Sequence, residues 1–343
     1  MMKSRAISTL CALLILLCPT NSSRAEAQRY ELSFFDVFDT YSTIIFYADS
    51  KAQADEWGKL AHSELMAYHQ LYDIYHEYEG VTGLCAVNRM AGQAPVRVDE
   101  RLLSLLLFSK EMDALTQGRV NIAMGSVLTL WHDARQDSLA QPEKAALPDR
   151  AALEAAQKHT NIEQLVLDEA ASTVFFADPL LKLDVGAIAK GYATERVAQV
   201  LIQHGVTSAL LSIGGNVRAI GAKADGDAYQ VAIQNPDQGA GDPVLLALPI
   251  VNTSVVTSGD YERFFTVDGK NYHHIIDPDT LMPSAYMRSV TILTQDGGLA
   301  DALSTALFLM PQEKGQALLD QLGNAEAIWV TPEGTVVKSG GLS

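Results

Sequence analysis

The alternation of apolar and polar residues predicts strands at the start of the chain and a long helix directly after them. Residues 30–47 alternate in period two and are rich in aromatic and β-branched residues, as strands are. Residues 50–78 have the spacing of an amphipathic helix. His62, His69 and His76 lie seven residues apart on that helix, roughly 10 Å between neighbours, too far to share a metal ion. A solvated stripe of histidines is therefore predicted.

The rest of the chain alternates predicted helices and short strands, as mixed α+β proteins do. A second helix is predicted from Asp99, a suitable N-cap, to Gly118, a suitable C-terminal stop. Residues 136–150 are polar and rich in alanine, which favours a surface insertion. Further predicted elements are a helix at 189–203, a hairpin at 210–221, strands near Val255, Val290 and Ile328, and helices from about Ala300 and Gln312. No internal repeat or flexible linker divides the chain, so one intertwined α+β unit is expected.

The first 27 residues have the features of an export signal. Lys3 and Arg5 precede a short apolar stretch at residues 6–19, and a small-x-small site follows at residues 25–27. Cleavage after about Ala27 is predicted, which would leave a periplasmic protein or one at the outer face of the cytoplasmic membrane. A short membrane anchor is the alternative interpretation. A lipid anchor on Cys18 is less favoured because a bulky leucine precedes that cysteine.

Composition narrows the function of the remaining chain. The formal net charge of −16 argues against a nucleic-acid partner, because phosphate backbones are bound by clustered lysine and arginine. An acidic protein can still bind an anion at a locally positive or metal-containing site. Only Cys85 lies outside the signal, so no internal disulfide is expected after cleavage.

Two segments carry candidate ligand-binding chemistry. The small-residue run DVGAIAKG, residues 184–191, leads into the helix predicted at 189–203, whose start would offer N–H groups to phosphates. Lys190 adds a positive charge and Asp184 an acceptor, although an ordinary strand-to-helix turn explains the run equally well. In the last third, Asp301 and Thr305 lie four apart and face the same way on a helix, as ligands of a hard cation must. An acidic helix start beside a buried threonine is the simpler alternative.

Two further segments carry groups that could accept a proton. In YHHIIDP, residues 272–278, adjacent histidines point to opposite sides of a strand, so at most one faces a given site. A histidine titrates near neutrality and could take a hydroxyl proton. The turn VTSGDY, residues 256–261, carries the carboxylate of Asp260. By itself this turn indicates only a loop.

Five segments in one order resemble the FAD:protein FMN transferases, also called ApbE-type flavin transferases. They are DVGAIAKGYATERV (184–197), LLSIGGNVRAIG (210–221), VVTSGDYERF (255–264), YHHIIDP (272–278) and LADALSTALFLM (299–310). The resemblance covers the chain from about Glu31 to Ser339. It implies a single catalytic domain at residues 28–343 of α+β class, with a T-fold-like core, intertwined subdomains and FAD in the cleft between them.

The resemblance also implies a set of site residues. It places magnesium at the FAD pyrophosphate, held by the carbonyl of Ala187 with Asp301 and Thr305. His274 or Asp260 is the implied base. The implied FAD contacts are Phe38, Tyr78, Arg119, Val120, Asn121, Asp184, Lys190 and Ile275.

The sequence departs from the family pattern in three places. Phe38 stands where methionine is usual, and either side chain can cover a flavin ring. Arg119, Val120 and Asn121 replace the usual Ala-Phe-Asp, and asparagine for aspartate puts a contact with the ligand in doubt because an amide also donates. The residues 281–283, Leu-Met-Pro, replace a commoner Gly-x-Pro. Tyr78, ten residues before Asn88, matches the tyrosine that precedes the family's asparagine motif.

The activity implied is a magnesium-dependent transfer of FMN from FAD to a threonine or serine of an acceptor flavoprotein, with release of AMP. The acceptors implied are subunits of exported or membrane redox complexes, so peripheral association with a membrane is compatible with this function. Hydrolysis of FAD to FMN and AMP is one alternative. Binding of FAD without catalysis is another.

Overall fold

The computed structural model describes residues 27–237, 239 and 241–342. The predicted signal, apart from Ala27, lies outside these residues. The strands are β1 Gln28–Val37, β2 Thr40–Ala48, β3 Val96–Arg97, β4 Leu165–Asp168, β5 Thr173–Phe176, β6 Ala209–Ile213, β7 Asn216–Ile220, β8 Tyr229–Gln234, β9 Val244–Ile250, β10 Ser254–Gly259, β11 Phe264–Val267, β12 Lys270–His273, β13 Ser289–Thr294, β14 Ala325–Val330 and β15 Val336–Lys338. The helices are α1 Lys51–Tyr72, α2 Leu84–Arg89, α3 Glu100–Leu115, α4 Gly125–Ala140, α5 Arg150–Gln157, α6 Ala189–Gln203, α7 Gly297–Phe308 and α8 Gln312–Leu322.

A large antiparallel sheet is the framework of the described chain. Its eight strands run in the order β1-β2-β6-β7-β10-β13-β14-β15. The N-terminal hairpin joins the middle of the chain where β2 pairs with β6, with Ile44 opposite Leu211. Strand β10 pairs with both β7 and β13, which brings the C-terminal third into the same sheet. Segments far apart in the chain therefore meet at the centre of the molecule.

The sheet is covered on both faces. Helices α1, α6 and α7 pack on one face, and α7 is among the most buried elements, with Ala300, Leu303 and Leu307 fully inaccessible. The β8–β9 hairpin covers part of the other face, where Val231 packs in a cluster with Ala219 and Val255. A smaller group around Trp131 combines α4 with the β11–β12 hairpin. The result is an α+β arrangement of three layers, in agreement with the fold class expected from the sequence.

Local signals in the sequence explain where several helices begin. Asp99 caps α3 by accepting the N–H of Arg101 at 2.8 Å, as its position predicted. Asp296 caps α7 in the same way through the N–H of Leu299 at 2.9 Å. The predicted helix at 189–203 and the hairpin around Gly214 are both confirmed, as are the late strands. None of the described helices combines the length and the apolar character that crossing a membrane requires.

Two predicted elements have different bounds in the structure. Helix α1 ends at Tyr72 instead of Tyr78, because the Asp73 side chain accepts the N–H groups of Tyr75 and His76 and holds a turn there. The predicted surface insertion at 136–150 begins within α4, which continues to Ala140.

The predicted histidine stripe does not form. His62 pairs with Asp36 at 3.0 Å, whereas His69 is half-buried and hydrogen-bonded to the Phe38 backbone. His76 lies beyond the end of α1. The prediction was wrong because seven-residue spacing describes the helix alone and not the β1–β2 hairpin that packs against it.

Candidate functional site

A cavity of about 780 Å³ opens between the helical layer, the sheet and the β11–β12 hairpin. This volume lies in the range of sites that enclose a ligand of drug or cofactor size. The elements around it are the β1–β2 turn, the start of α4, the segment before α6, strands β7, β8 and β10, and helix α7. Eleven of the predicted site residues line it: Phe38, Arg119, Val120, Asn121, Asp184, Ala187, Lys190, His274, Ile275, Asp301 and Thr305.

The two predicted metal-binding segments meet at one side of this cavity. The N–H of Gly191, in the first turn of α6, donates to Oδ2 of Asp301 at 2.8 Å. In a regular helix that N–H would bond the carbonyl of Ala187 four residues earlier. Within the described chain the Ala187 carbonyl receives no hydrogen bond, and Ala187 is among the residues that line the cavity. A backbone oxygen is left available next to a carboxylate.

Few protein groups offset the cost of burying the Asp301 carboxylate. Its side chain is 5% exposed, and burial raises its pKa to about 6, partly offset by Lys190 and by the Gly191 N–H. Oδ1 accepts no hydrogen bond from the described residues. One helical turn later, Thr305 Oγ1 lies 3.3 Å from Ser258 Oγ, which is also 2.8 Å from Ser304 Oγ. Carboxylate and hydroxyl thus face the cavity from the same side of α7.

These oxygens fit a hard divalent cation. A carbonyl, a carboxylate and a hydroxyl are the donor types that magnesium prefers, and a cation would offset the cost of burying the Asp301 charge. The described residues contain no cluster of three or more His, Cys, Asp or Glu side chains able to hold a metal alone. A cation here would need further oxygens, which a phosphorylated ligand can supply.

Acidic and basic side chains both line the cavity, and the acidic ones are Asp39, Asp73, Asp184, Glu262 and Asp301. Lys190, Arg119 and Arg263 line the cavity, although the protein as a whole is strongly acidic. No described carboxylate lies within ion-pair distance of Lys190, so its charge acts on the cavity. Arg263 and Lys190 both disfavour a proton on His274, which indicates a positive potential at that ring. An anionic ligand is favoured here.

The start of α6 offers fewer free N–H groups to an anion than the sequence predicts. The N–H groups of Ile188 and Ala189 both donate to the carbonyl of Val185, and Gly191 donates to Asp301. The expected row of free N–H groups is therefore mostly occupied within the protein. The positive charge on this side of the cavity comes chiefly from Lys190.

His274 lies in the cavity just after β12. Its side chain is exposed to cavity water, yet protein atoms surround it on most sides. This burial at longer range, followed by the charges of Arg263, His273 and Lys190, lowers its pKa to about 3. The neighbouring His273 also borders the cavity, but it is buried and both its ring nitrogens are used within the protein: Nε2 lies 2.8 Å from the carbonyl oxygen of Ser284, and Nδ1 accepts the N–H of Ile275 at 3.2 Å. The structure thus resolves which of the two histidines can reach a ligand.

Asp260, the other candidate base, does not line the cavity. Its Oδ2 lies 3.5 Å from Nε of Arg288, and its Oδ1 is buried with no hydrogen-bond partner among the described residues. Burial raises the pKa of this carboxyl, with Arg288 opposing that effect. Asp260 therefore interacts with the strand beside it and not with the space that a ligand would fill.

Asp184 is half-buried at the start of the small-residue segment. Its Oδ1 accepts the N–H of Gly186 at 2.8 Å, and burial raises its pKa. Asn88 fixes the residue before it, donating to the carbonyl of Leu183 at 3.0 Å and accepting its N–H at 2.8 Å. Asn88 belongs to a motif of the family that the sequence resembles, and in the structure its amide fixes the backbone of Leu183.

The contacts expected of residues 119–121 differ from one residue to the next. Arg119 lies 2.8 Å from Asp279 and 3.5 Å from Asp277, so it bridges to the loop after β12. The amide of Asn121 is used within the protein, donating to Thr160 at 2.8 Å and accepting from Ala123 at 2.8 Å. The Val120 side chain is 1% exposed. Arg119 is the member of this group best able to reach a ligand.

Tyr78, expected to contact a flavin, does not line the cavity. Its hydroxyl lies 3.1 Å from Nε2 of His69 and 2.8 Å from Oδ2 of Asp73. His69 and Arg263 do line the cavity but were not predicted as site residues. Periodicity gave no signal for His69, because only packing against the β1–β2 turn separates it from the other two histidines.

Comparisons with known proteins identify the family of this chain. The ApbE family model matches residues 38–329. A protein of Treponema pallidum named FAD:protein FMN transferase is 37% identical over 276 residues, covering 76% of this chain and 74% of the relative. A Klebsiella pneumoniae protein of the same name is 34% identical over 254 residues, 74% and 76% of the two chains.

Solved structures have the same fold. The ApbE protein of Thermotoga maritima superposes with a TM-score of 0.80 at 30% identity, covering 92% of this chain and 98% of that one. The flavin transferase ApbE of Vibrio cholerae gives 0.74 at 26% identity, with the same coverage. With a family model that spans most of its length and relatives above 30% identity, this chain belongs to the ApbE family.

Proposed function

We propose that the protein is a magnesium-dependent FAD:protein FMN transferase. It would cleave FAD at the pyrophosphate and join FMN through a phosphoester bond to a serine or threonine of an acceptor flavoprotein. The name of its relatives supports the substrate. The observation that carries the proposal is the hydrogen bond from Gly191 to Asp301, which brings the segment of Ala187 and Lys190 against the helix that carries Asp301 and Thr305 at the cavity.

In this proposal, Ala187, Asp301 and Thr305 hold the magnesium ion. When bound, it neutralises charge on the pyrophosphate as the bond between the two phosphates breaks. Lys190 and Arg263 attract and orient the diphosphate. Phe38 and Ile275, which line the cavity, offer apolar surface to the flavin.

The chemical step is an exchange of phosphate esters. The acceptor hydroxyl oxygen forms a bond to the FMN phosphorus, and the bond from that phosphorus to the bridging oxygen breaks. AMP leaves with the bridging oxygen, and the hydroxyl proton goes to an imidazole nitrogen of His274. A lowered pKa keeps His274 unprotonated over the whole neutral range, although it also makes the ring a weaker base than an ordinary imidazole. Its position in the cavity favours it over Asp260 as the base.

The acceptor and the location of the protein are parts of the proposal that rest on the sequence. The export signal at residues 1–27 supports a periplasmic site of action, or one at the outer face of the membrane. The acceptors would then be exported or membrane-bound electron-transfer subunits. A fraction of the protein found in the cytoplasm with its N-terminus intact would contradict this location.

Transfer, hydrolysis and binding without catalysis give different products. We would incubate the purified protein with FAD, magnesium and a serine- or threonine-bearing acceptor flavoprotein domain, with and without a chelator. Transfer predicts flavin fluorescence on the denatured acceptor together with AMP, and loss of both with chelator. FMN and AMP with an unlabelled acceptor would identify a hydrolase, and unchanged FAD would identify a binding protein.

A further inference from the structure

A chain of hydrogen bonds connects the end of α1 to the turn between β1 and β2. The backbone N–H of Phe38 donates to Nδ1 of His69 at 3.1 Å. On the other side of the ring, Nε2 of His69 lies 3.1 Å from the hydroxyl of Tyr78, which donates to Oδ2 of Asp73 at 2.8 Å. The side chains of His69, Tyr78 and Asp73 are thus linked in series by hydrogen bonds to the backbone N–H of Phe38.

The direction of each bond follows from the chemistry of its donors. Because an N–H can only donate, Nδ1 of His69 must be the acceptor, and the ring proton must lie on Nε2 in the neutral form. That proton points to the oxygen of Tyr78, whose own proton goes to the Asp73 carboxylate. Burial and the hydrogen bond to Asp73 raise the pKa of Tyr78 to about 12, so it remains a hydroxyl donor at neutral pH. The chain therefore selects one tautomer of His69.

Several hydrogen bonds fix Asp73, which stands at the end of this series. It also accepts the N–H of Tyr75 at 2.7 Å and lies 3.0 Å from Nδ1 of His76. Burial alone would raise its pKa, but these hydrogen bonds, with that from Tyr78, outweigh burial and lower it. The carboxylate is consequently ionised and fixed at the end of α1 across the neutral range.

At the other end of this series of hydrogen bonds, the backbone at Phe38 has a conformation that needs to be held in place. Phe38 and Asp39 both have positive φ, 54° and 50°, a conformation that side-chain-bearing residues rarely adopt. The Phe38 ring lines the cavity and lies edge-on to His69, with ring centroids 5.8 Å apart. Holding the Phe38 N–H therefore also sets where its ring stands in the cavity.

We propose that His69 and Tyr78 are positioning residues that hold Phe38 in the orientation needed to bind the flavin. This inference rests on the proposed function, in which Phe38 contacts the flavin. In this inference Tyr78 does not touch the ligand. It acts on Phe38 by favouring one tautomer of His69. Loss of the Tyr78 hydroxyl should allow the His69 proton to move to Nδ1, where it opposes the Phe38 N–H.

Four variants of the full-length protein test the inference through the KM for FAD and kcat in the transfer assay. His69→Phe removes the acceptor, and we expect the KM to rise about 10-fold with kcat within about two-fold, as loss of one hydrogen bond implies. His69→Asn, whose Oδ1 can replace Nδ1, should restore most of the affinity. Tyr78→Phe should raise the KM about three-fold or more. Tyr41→Phe, which removes a hydroxyl bonded to Ser33 on the same hairpin, is the control and should leave the KM unchanged.

A spectroscopic measurement separates positioning from a loss of stability. In protein labelled with ¹⁵N-histidine, the His69 nitrogens should show the Nε2–H tautomer in the wild type and a mixture of tautomers in Tyr78→Phe. An unchanged tautomer with an unchanged KM in Tyr78→Phe would overturn the inference. So would His69→Asn as impaired as His69→Phe, since direct contact between the imidazole and the ligand would then explain the effect. Wild-type protein that fails to bind FAD would instead overturn the proposed function.

Discussion

The N–H of Gly191 donates to Oδ2 of Asp301 at 2.8 Å, and not to the carbonyl of Ala187 one turn before it. This hydrogen bond is one of those that join α6 to α7, and it leaves the Ala187 carbonyl without a hydrogen bond from the described chain. Both consequences favour a cation site, because a carbonyl and a carboxylate oxygen become available together. The relationship can be tested from both partners.

Replacing Asp301 by asparagine tests the cation site. The amide oxygen can still accept the Gly191 N–H, but the negative charge is lost. We expect transfer to fall by about 100-fold or more at a fixed magnesium concentration, the scale of losing several kcal/mol of charge stabilisation. The melting temperature of wild type should rise with added magnesium, because a ligand that binds the folded state stabilises it. A magnesium-dependent shift that persists in Asp301→Asn would contradict this assignment.

Replacing Gly191 by alanine tests the contact between the two helices. A Cβ at this position would lie 2.3 Å from the carbonyl oxygen of Gly297 and 2.4 Å from Cβ of Asp301, both on α7. Because these neighbours are backbone and a short side chain, the helices must separate, at a cost of about 1–3 kcal/mol. Chemical denaturation measures this cost. The exposed Gly239→Ala, where the nearest atom is Asp237 Oδ1 at 3.5 Å, should leave the stability unchanged.

The pH dependence of transfer tests His274 as the base. A folded-state pKa of about 3 lies below the usual 6.5, so the ring stays neutral until the solution is strongly acid. We expect kcat/KM for FAD to show no inflection from this group between pH 5 and 8. A fall in rate centred near pH 6.5 that disappears in His274→Gln would contradict the prediction. Because the folded state disfavours protonation of His274, the neutral ring contributes fully to the free energy of unfolding above pH 6.5. This contribution decreases as the pH falls toward 3.

A buried ion pair behind the site gives a prediction for stability. Oε2 of Glu195 accepts from Nε of Arg218 at 2.8 Å and from the N–H of Gly297, at the start of α7, at 3.1 Å. Glu195→Ala leaves the arginine charge buried and unpaired, and we expect a loss of about 3–5 kcal/mol in the free energy of unfolding. The double variant Glu195→Leu with Arg218→Met removes both charges and should lose less. Urea denaturation of both variants is the measurement; a double variant at least as unstable as Glu195→Ala would refute it.

The sequence predicted the elements that carry strong local signals. Asp99 caps its helix as expected, and the helix at 189–203 has the predicted bounds. The i, i+4 spacing of Asp301 and Thr305 placed both on one face of α7, where the structure has them. Local patterns fail where a side chain competes with the helix, as Asp73 does at the end of α1.

Much of the candidate site follows from tertiary packing, which spacing along the chain does not encode. The resemblance named Ala187, but no local pattern shows that its carbonyl is released by a hydrogen bond to residue 301. Nothing in the motif around Asp260 reveals that its carboxylate turns toward Arg288. Similarly, Tyr78 matches a family position yet reaches the cavity only through His69.

The pairing of β2 with β6, and of β10 with β7 and β13, has a consequence for how the protein acquires its site. The cavity needs Phe38 from the first hairpin and Thr305 from the last third, so no partial product of synthesis contains a complete binding site. Non-local pairings of this kind close late and slowly during folding. In the proposed function, FAD and magnesium would therefore stabilise only the finished chain and would not protect its folding intermediates against aggregation or proteolysis.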